Sequence, residues 1–266
     1  MSDSPSDWAI VFNDNETEEQ AKALAGSLAL PYTKASVKDY KKLGYSLILV
    51  VEQDGLKLLK PSEKSMGALK VDFADGALNW RRQHGGGTGQ PIAKAIGLKQ
   101  KGSLNILDAT AGTATDAFVL AALGCKVTMI ERHPIVATML EDALSRAEHQ
   151  PDIYETTQNL TLLKGDSTSL LNSFKKDEFD VVYLDPMFPH SGKQAQVKKS
   201  MQYFRDMVGK DEDADDLLTP ALKIAKYRVV VKRPRKSPLL NDQPPTLSLE
   251  GKANRFDIYV NKSLRD

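Results

Sequence analysis

The residues with the most specific chemistry in this 266-residue chain lie in one segment, Tyr183-Leu-Asp-Pro-Met-Phe-Pro189, at the end of an apolar run. The Asp185 carboxylate can accept a hydrogen bond from an exocyclic amine, and the Phe188 ring can stack on a planar base. Pro186 stiffens the backbone, so that main-chain carbonyls can point at a ligand. Acceptors of this kind localise the amine lone pair and stabilise the positive charge that develops as nitrogen attacks carbon. The segment therefore favours group transfer to a nucleobase amine over hydride transfer.

Three further strand ends carry small or acidic residues that suit a nucleoside. The stretch that begins at Asp108 and contains Gly112 is rich in small residues, which let a backbone approach a ligand closely. Glu131 ends the next strand, where a carboxylate can accept hydrogen bonds from both ribose hydroxyls. Asp166-Ser167 follows the third strand, where an adenine amine could donate. Because Gly112 stands alone, the G-x-G-x-x-G fingerprint is missing. These residues predict a nucleoside cofactor and leave NAD and S-adenosylmethionine both open.

Alternating strands and helices are predicted to position these residues. The apolar runs predict strands at Leu104–Ala109, Lys126–Glu131, Leu160–Lys164, Phe179–Leu184 and Tyr227–Lys232. Helices are predicted at Asp116–Leu123 and Pro134–Ala147. This alternation indicates a doubly wound, mostly parallel α/β sheet, whose ligands bind beyond the carboxyl ends of the strands. Phe256–Val260, after a proline-rich loop, predicts a last strand that adds antiparallel at an edge.

The first 75 residues predict a small α+β subdomain. Trp8–Phe12 is typical of a strand, and the spacing of Ala21, Leu24, Ala25 and Leu28 predicts a helix that ends before Pro31. Tyr45–Val51 and Leu56–Leu59 predict a hairpin with a turn at 53–55. We therefore divide the chain into an N-terminal subdomain, residues 1–75, and a catalytic domain, residues 76–266.

Composition limits the class of protein. Thirty-six Lys and Arg against thirty-five Asp and Glu give a net charge of +1, which argues against a protein that is basic all over. Residues 81–101 and 223–236 nevertheless carry basic side chains and no acids. A single cysteine, Cys125, excludes an intramolecular disulfide framework, and four scattered histidines predict no metal site. The polar, acidic first residues and the lack of an apolar run of about 20 residues predict a cytoplasmic protein without a membrane span.

The segment around Asp185 resembles the (Asn/Asp)-Pro-Pro-(Tyr/Phe) motif of amino-directed nucleic-acid methyltransferases, with Met187 in place of the second proline. The full string is similar to that of a narrower group, the bacterial ribosomal RNA small subunit methyltransferase J family. The similarity continues at residues 81–87, 108–118, 131–132, 197–199, 229–234 and 255–259. The resemblance implies a seven-strand, Rossmann-like methyltransferase sheet. It also implies methyl transfer from S-adenosylmethionine to the exocyclic N2 of a guanosine in small-subunit (16S) rRNA.

The resemblance also assigns roles to individual residues. By motif position, the cofactor contacts fall on Thr115, Asp116, Glu131, Arg132, Asp166, Ser167 and Asp185, to which the strand-end position adds Asp108 and Gly112. The catalytic residues are Asp185, Pro186 and Phe188. Contacts with the rRNA, free or in the small ribosomal subunit, are predicted for Arg81, Arg82, His84, His190, Lys198, Lys199, Lys232 and Arg233.

The glycine-rich segment 85–89 is too flexible for the interior of a helix or strand and is predicted to be a closing loop near cofactor or RNA. The sequence shows no strong general base.

Two alternative functions stay open. An amino methyltransferase that acts on DNA or another RNA is one alternative to the rRNA enzyme. A NAD-type oxidoreductase is the other, because fold alone does not fix function.

Overall fold

The structure of the protein is a computed structural model that describes residues 7–63, 67–76, 78, 85–187 and 213–265. These residues form two compact units. The first is built from the described residues up to Asp72, and the second from Phe73–Met187 together with the described residues from 213 onward. A domain boundary after residue 75, in the sense of two parts that fold independently, stays a prediction.

The N-terminal unit is a four-stranded sheet with the strand order β2-β1-β3-β4. Its strands are β1 Trp8–Phe12, β2 Tyr32–Lys34, β3 Leu47–Glu52 and β4 Gly55–Leu59, with helix α1 at Glu18–Leu28. The first three strands run parallel, and β4 returns antiparallel to β3 through a tight turn. The predicted helix and hairpin are confirmed, whereas β2 is an element that the sequence did not predict.

The second unit contains a seven-stranded sheet with the order β10-β11-β9-β8-β5-β6-β7. Its strands are β5 Asn105–Asp108, β6 Lys126–Glu131, β7 Leu160–Lys164, β8 Phe179–Leu184, β9 Ala225–Pro234, β10 Leu247–Glu250 and β11 Asn254–Val260. Strands β5 to β9 run parallel to one another. The predicted doubly wound, mostly parallel α/β architecture is confirmed.

The crossovers between these strands are helical. The described helices of this unit are α2 Pro91–Ile96, α3 Leu98–Lys101, α4 Thr115–Ala122, α5 Pro134–Ala147, α6 Pro151–Thr157, α7 Ser167–Leu170 and α8 Leu218–Ile224. From β5 the chain passes to β6 and β7 on one side, then to β8 and β9 on the other. The strand order therefore reverses between β5 and β8, and a crevice for a ligand is expected outside their carboxyl ends.

One prediction about the sheet edge is wrong. The last strand, β11, runs antiparallel to β9 as predicted, but β10 pairs on its other side and forms the edge. The sequence analysis missed β10 because Leu247–Glu250 is short and mostly exposed, so no apolar run marks it.

The interior of the sheet is apolar, as its buried valines in β8 and β9 show. Cys125 lies in this interior, where burial raises the pKa of its thiol to about 11. The thiol is thus a small buried side chain rather than a nucleophile at neutral pH. In the described ranges, no helix is long and apolar enough to cross a membrane.

Candidate active site

Two aspartates meet where the strand order reverses. Asp108 is the last residue of β5, and Asp185 directly follows β8. The backbone N–H of Asp185 donates a hydrogen bond to the Thr110 hydroxyl at 2.6 Å, and the Thr110 N–H donates to the Asp108 carboxylate at 3.1 Å. These bonds hold the ends of the two neighbouring strands together. Two residues that the sequence predicts for the site therefore lie at the carboxyl ends of adjoining strands.

Lys232 brings a positive charge into this group of acids. Its Nζ donates to Asp116 Oδ2 at 2.7 Å and to Asp185 Oδ2 at 2.8 Å. The Tyr183 hydroxyl donates to the same Asp116 oxygen at 2.8 Å. Burial lowers the pKa of the ammonium, but the Asp185 and Asp116 carboxylates outweigh burial, so that its net pKa is raised. Lys232 is therefore charged at neutral pH, and its charge is satisfied inside the protein.

This geometry does not suit the prediction that Lys232 and Arg233 contact the rRNA. Lys232 pairs with two carboxylates, because β9 lies beside β8 and directs its side chain toward the site. Successive side chains of a strand point to opposite faces of the sheet. Arg233 accordingly lies on the other face, where it is 2% exposed. A buried guanidinium cannot reach phosphate, so the position of Arg233 does not suit the predicted contact.

Asp108 is a buried carboxyl group in an acidic neighbourhood. Burial is the main reason why its pKa is raised, to about 7, and the Asp116 and Asp185 charges act in the same direction. The hydrogen bond from the Thr110 N–H and the Lys232 ammonium lower its pKa only in part. Asp108 therefore changes charge near neutral pH, and its ionised form destabilises the folded state.

We expect Asp108→Asn to stabilise the protein at pH 8 and to leave its stability nearly unchanged at pH 4. A carboxyl whose pKa is raised from 3.8 to about 7 on folding loses stability as the pH rises through this interval. At about 1.4 kcal/mol for each pKa unit, the gain in unfolding free energy at pH 8 is on the order of 2–4 kcal/mol.

Urea unfolding at the two pH values measures this effect. Glu155→Gln, on an exposed face of α6, is the control and should show no such pH dependence. An Asp108→Asn protein that is less stable than the wild type at pH 8 would contradict the prediction.

Glu131 holds the loop that follows β5. Its buried carboxylate accepts hydrogen bonds from the Gly112 N–H at 2.9 Å and from the His133 N–H at 2.7 Å. The Ala111 N–H also donates to the Ile130 carbonyl at 3.1 Å. Gly112 has φ +54°, and an added Cβ there would meet no atom of the described residues within 4 Å. Left-handed conformation rather than crowding by these residues selects glycine.

The residues after β7 bind the same loop from the other side. The Ser167 hydroxyl donates to the Ala109 carbonyl at 2.5 Å and is buried. Asp166 caps the short helix α7, since its carboxylate accepts from the Thr168 N–H at 3.2 Å and from the Thr168 hydroxyl. Side-chain hydrogen bonds thus link the ends of β5, β6, β7 and β8, which brings together the four strand ends that the sequence singled out.

Two predicted cofactor residues have partners of their own. Arg132 Nη1 donates to both carboxylate oxygens of Asp213, at 3.0 and 2.9 Å. The Thr115 hydroxyl lies 3.1 Å from the Thr113 hydroxyl at the start of α4. Arg132 is therefore oriented by the Asp213 carboxylate.

Several predicted residues lie outside the described part of the chain. They are Arg81, Arg82, His84, Phe188, His190, Lys198 and Lys199. Pro186 is described and is buried. Of the glycine-rich segment, Gly87–Gly89 forms a single turn of 3₁₀ helix, as short connecting segments often do, and its role as a closing loop stays a prediction. In the described part of the chain, no group of three or more His, Cys, Asp or Glu could hold a metal ion.

Sequence reasoning missed Thr110 and Tyr183 as members of the site. Both stand close to predicted site residues in the sequence, but their hydroxyls bond to residues far along the chain, Asp185 and Asp116. The only available signal was their position at the ends of β5 and β8. A polar side chain at such a position is a candidate for the site, although its partner depends on strand order.

The chain matches the family model of SAM-dependent methyltransferases over residues 34–261. It belongs to this family. The methyltransferase is 46% identical to the ribosomal RNA small subunit methyltransferase J of Colwellia psychrerythraea, over 97% of this chain and 94% of the relative. It is 44% identical to the protein of the same name from Pseudomonas paraeruginosa, over 97% and 93%. A solved SAM-dependent methyltransferase from Neisseria gonorrhoeae has a TM-score of 0.69 and 35% identity, over 95% and 96% of the two chains.

The comparisons confirm the family that the sequence motifs suggested. The methyltransferase uses S-adenosylmethionine and has a Rossmann-like methyltransferase fold. The NAD-type oxidoreductase, which the missing glycine fingerprint already disfavoured, has no support from the family.

Proposed function

We propose that this methyltransferase transfers a methyl group from S-adenosylmethionine to the exocyclic N2 of a guanosine in 16S rRNA. The observation that carries the proposal is Asp185, whose partly exposed carboxylate lies at the reversal point of the sheet and is oriented by Lys232. The names of the relatives support small-subunit rRNA, free or in the small ribosomal subunit, as the substrate. Such a substrate implies a cytoplasmic location.

The described residues fit S-adenosylmethionine by their chemistry. The described residues leave space beside Gly112 for a ligand against the backbone. Glu131 would bind the ribose hydroxyls and Asp166 the adenine amine, since carboxylates accept from both groups. Asp116 and Asp185 supply negative charge, which favours a sulfonium cation, and Asp108 adds to it in its ionised form. Of the other proposed contacts, Thr115 and Ser167 begin the helices α4 and α7, and Arg132 directly follows β6.

The reaction requires a methyl donor and an activated amine. When bound, S-adenosylmethionine supplies a methyl group whose carbon bonds to the attacking nitrogen as its bond to sulfur breaks, the electron pair remaining on sulfur. Asp185 accepts a hydrogen bond from the target amine, which localises the nitrogen lone pair and stabilises the positive charge on it. The positively charged, methylated nitrogen that results is acidic and can lose a proton to water, so no strong base is needed.

The remaining contacts with the rRNA are proposed from sequence. Phe188 would stack on the target base next to Asp185. Arg81, Arg82, His84, His190, Lys198 and Lys199 would contact the rRNA. Contacts to phosphate position a nucleic acid without reading its sequence. We retain residues 1–75 as a separate N-terminal subdomain in this proposal.

The experiment that tests the proposal maps methylated nucleotides in cellular rRNA. Cells that lack the gene are compared with cells restored with the wild-type gene or with an Asp185→Ala gene. We expect one N2-methylguanosine in 16S rRNA to be absent, present and absent in the three strains. In parallel, purified enzyme and labelled cofactor are presented with small subunits, naked 16S rRNA, large-subunit rRNA and duplex DNA.

The outcomes separate the proposal from its alternatives. Label in small subunits or 16S rRNA, at guanine N2, supports the proposed function. Label confined to DNA or large-subunit rRNA, or a modification at another atom of the base, would overturn it.

A further inference from the structure

Lys232 joins two loops that have different tasks in the proposed function. Asp116 lies in the first turn of α4, directly after the Gly112 loop, and Asp185 begins the segment proposed to bind the target amine. One ammonium donates to a carboxylate oxygen of each, at 2.7 and 2.8 Å. The same Asp116 oxygen also accepts from Tyr183, a residue of the strand that leads to Asp185. The bridge is therefore anchored on both sides.

The charges around the ammonium explain why a cation is needed there. Among the described residues, the titratable groups near it include Asp108, Asp116, Tyr183 and Asp185. Three of these are acids in a partly desolvated space, where like charges repel strongly and favour protonation. A protonated Asp185 would lose one acceptor and could not stabilise positive charge on nitrogen as well. An ammonium that is hydrogen-bonded to Asp116 and Asp185 favours the ionised form of both carboxylates.

Other roles for Lys232 fit these observations less well. A phosphate contact requires an ammonium that is directed outward, whereas the Lys232 side chain is 23% exposed and lies between two acids. A general base must be neutral at the working pH, and the raised pKa of this lysine prevents that.

We propose that Lys232 is a positioning residue, which fixes the Asp185 carboxylate in its ionised state and ties it to Asp116 in the first turn of α4. This inference rests on the proposed function for its catalytic consequence, but not for its effect on Asp185. Lys232 acts through the two aspartates and does not itself contact the target amine.

The test compares Lys232→Met, which keeps the length and apolar stem, with Lys232→Arg, which keeps a cation. We expect Lys232→Met to lower kcat by about 10²-fold, the size of effect that a misplaced catalytic group produces. We expect the acidic limb of its kcat profile to move to higher pH by about one unit or more, because the carboxylate loses a neighbouring cation. Lys232→Arg should keep the wild-type limb and regain most of the activity.

A measurement without turnover separates this inference from the proposed function. Carbon NMR of the aspartate carboxyls, with Asp185→Asn used for assignment, reports the titration of Asp185 in cofactor-free enzyme. We expect Asp185 to titrate at higher pH in Lys232→Met than in wild type, whatever the substrate of the enzyme is. Lys262→Met, which removes a surface pair with Asp177, should leave both the titration and kcat unchanged.

Two results would overturn the inference. The first is a Lys232→Met protein that is folded and slow but has an unshifted Asp185 titration, since a merely structural role has that signature. The second is a Lys232→Arg protein with the same shifted pH profile as Lys232→Met. If Asp185 shifts as expected while 16S rRNA is not methylated by the wild type, the proposed function fails and the role of Lys232 stands.

Discussion

Asp185→Ala is expected to reduce methyl transfer by about 10³-fold or more, with a change of less than about tenfold in the dissociation constant of S-adenosylmethionine. Loss of one preorganised acceptor or donor aimed at a developing charge typically costs about 10²–10³ in kcat. In this variant the Lys232 ammonium also loses one of its two carboxylate partners. Its positive charge beside the reacting nitrogen is then less well balanced. Two unfavourable changes therefore fall on the same step.

Asp185→Asn separates these two effects. The amide retains an oxygen that can accept from the target amine, but it carries no charge to balance Lys232. We expect an activity between those of the wild type and the alanine variant. The order wild type, asparagine, alanine follows from the chemistry of the side chain alone.

Single-turnover transfer of labelled methyl and calorimetric cofactor binding measure the two quantities separately. Glu141→Ala, which removes a surface pair with Lys164 at 2.6 Å, is the matched control and should transfer methyl at the wild-type rate. Normal transfer by the alanine variant would remove Asp185 from the mechanism. A loss that appears only in cofactor affinity would make it a binding residue instead.

Much of the fold could be predicted because most of its strands are long and buried enough to produce a recognisable apolar run in the sequence. The bounds of β6, β7, β8 and α5 agree with the sequence prediction residue for residue. Parallel strands that are covered on both faces read as continuous apolar runs, and Pro134 marks the first turn of α5. By contrast, β2 and β10 are three and four residues long and mostly exposed. Backbone pairing defines them, and the sequence carries no local sign of it.

The candidate site was predicted in its positions but not in its pairings. Apolar runs show where the strands end, so the acidic and small residues at those ends can be identified from the sequence. That Lys232 meets Asp185 depends on β9 lying beside β8, a long-range choice that neither segment records. For the same reason both Lys232 and Arg233 were predicted to contact the rRNA, although alternate members of the strand point to opposite faces and Arg233 is buried.

Arg233 pairs with Arg255 of β11, which belongs to a buried charge cluster. We expect the largest loss of stability from a substitution in this cluster. Asp257 is fully buried and accepts from Arg255 Nε at 2.9 and 3.0 Å and from the Ser248 hydroxyl at 2.7 Å. Arg255 also donates to the carbonyls of Arg235 and Ser237, both at 2.8 Å, and so holds the loop after β9. Asp257→Ala should lower the unfolding free energy by about 3–5 kcal/mol, because it leaves a buried guanidinium without its counter-charge.

Urea unfolding at pH 7 measures this loss, and two further variants show where it comes from. Ser248→Ala removes one hydrogen bond to the same carboxylate and should cost only about 1 kcal/mol. Arg255→Met combined with Asp257→Leu removes both charges, and it should be more stable than Asp257→Ala alone, since a buried pair can often be replaced by apolar residues at little cost. A double variant as unstable as Asp257→Ala would mean that the loop carbonyls, rather than the unpaired charge, account for the loss. An Asp257→Ala protein within about 1 kcal/mol of the wild type would show that water or another group neutralises Arg255, and that the cluster does not stabilise this edge of the sheet.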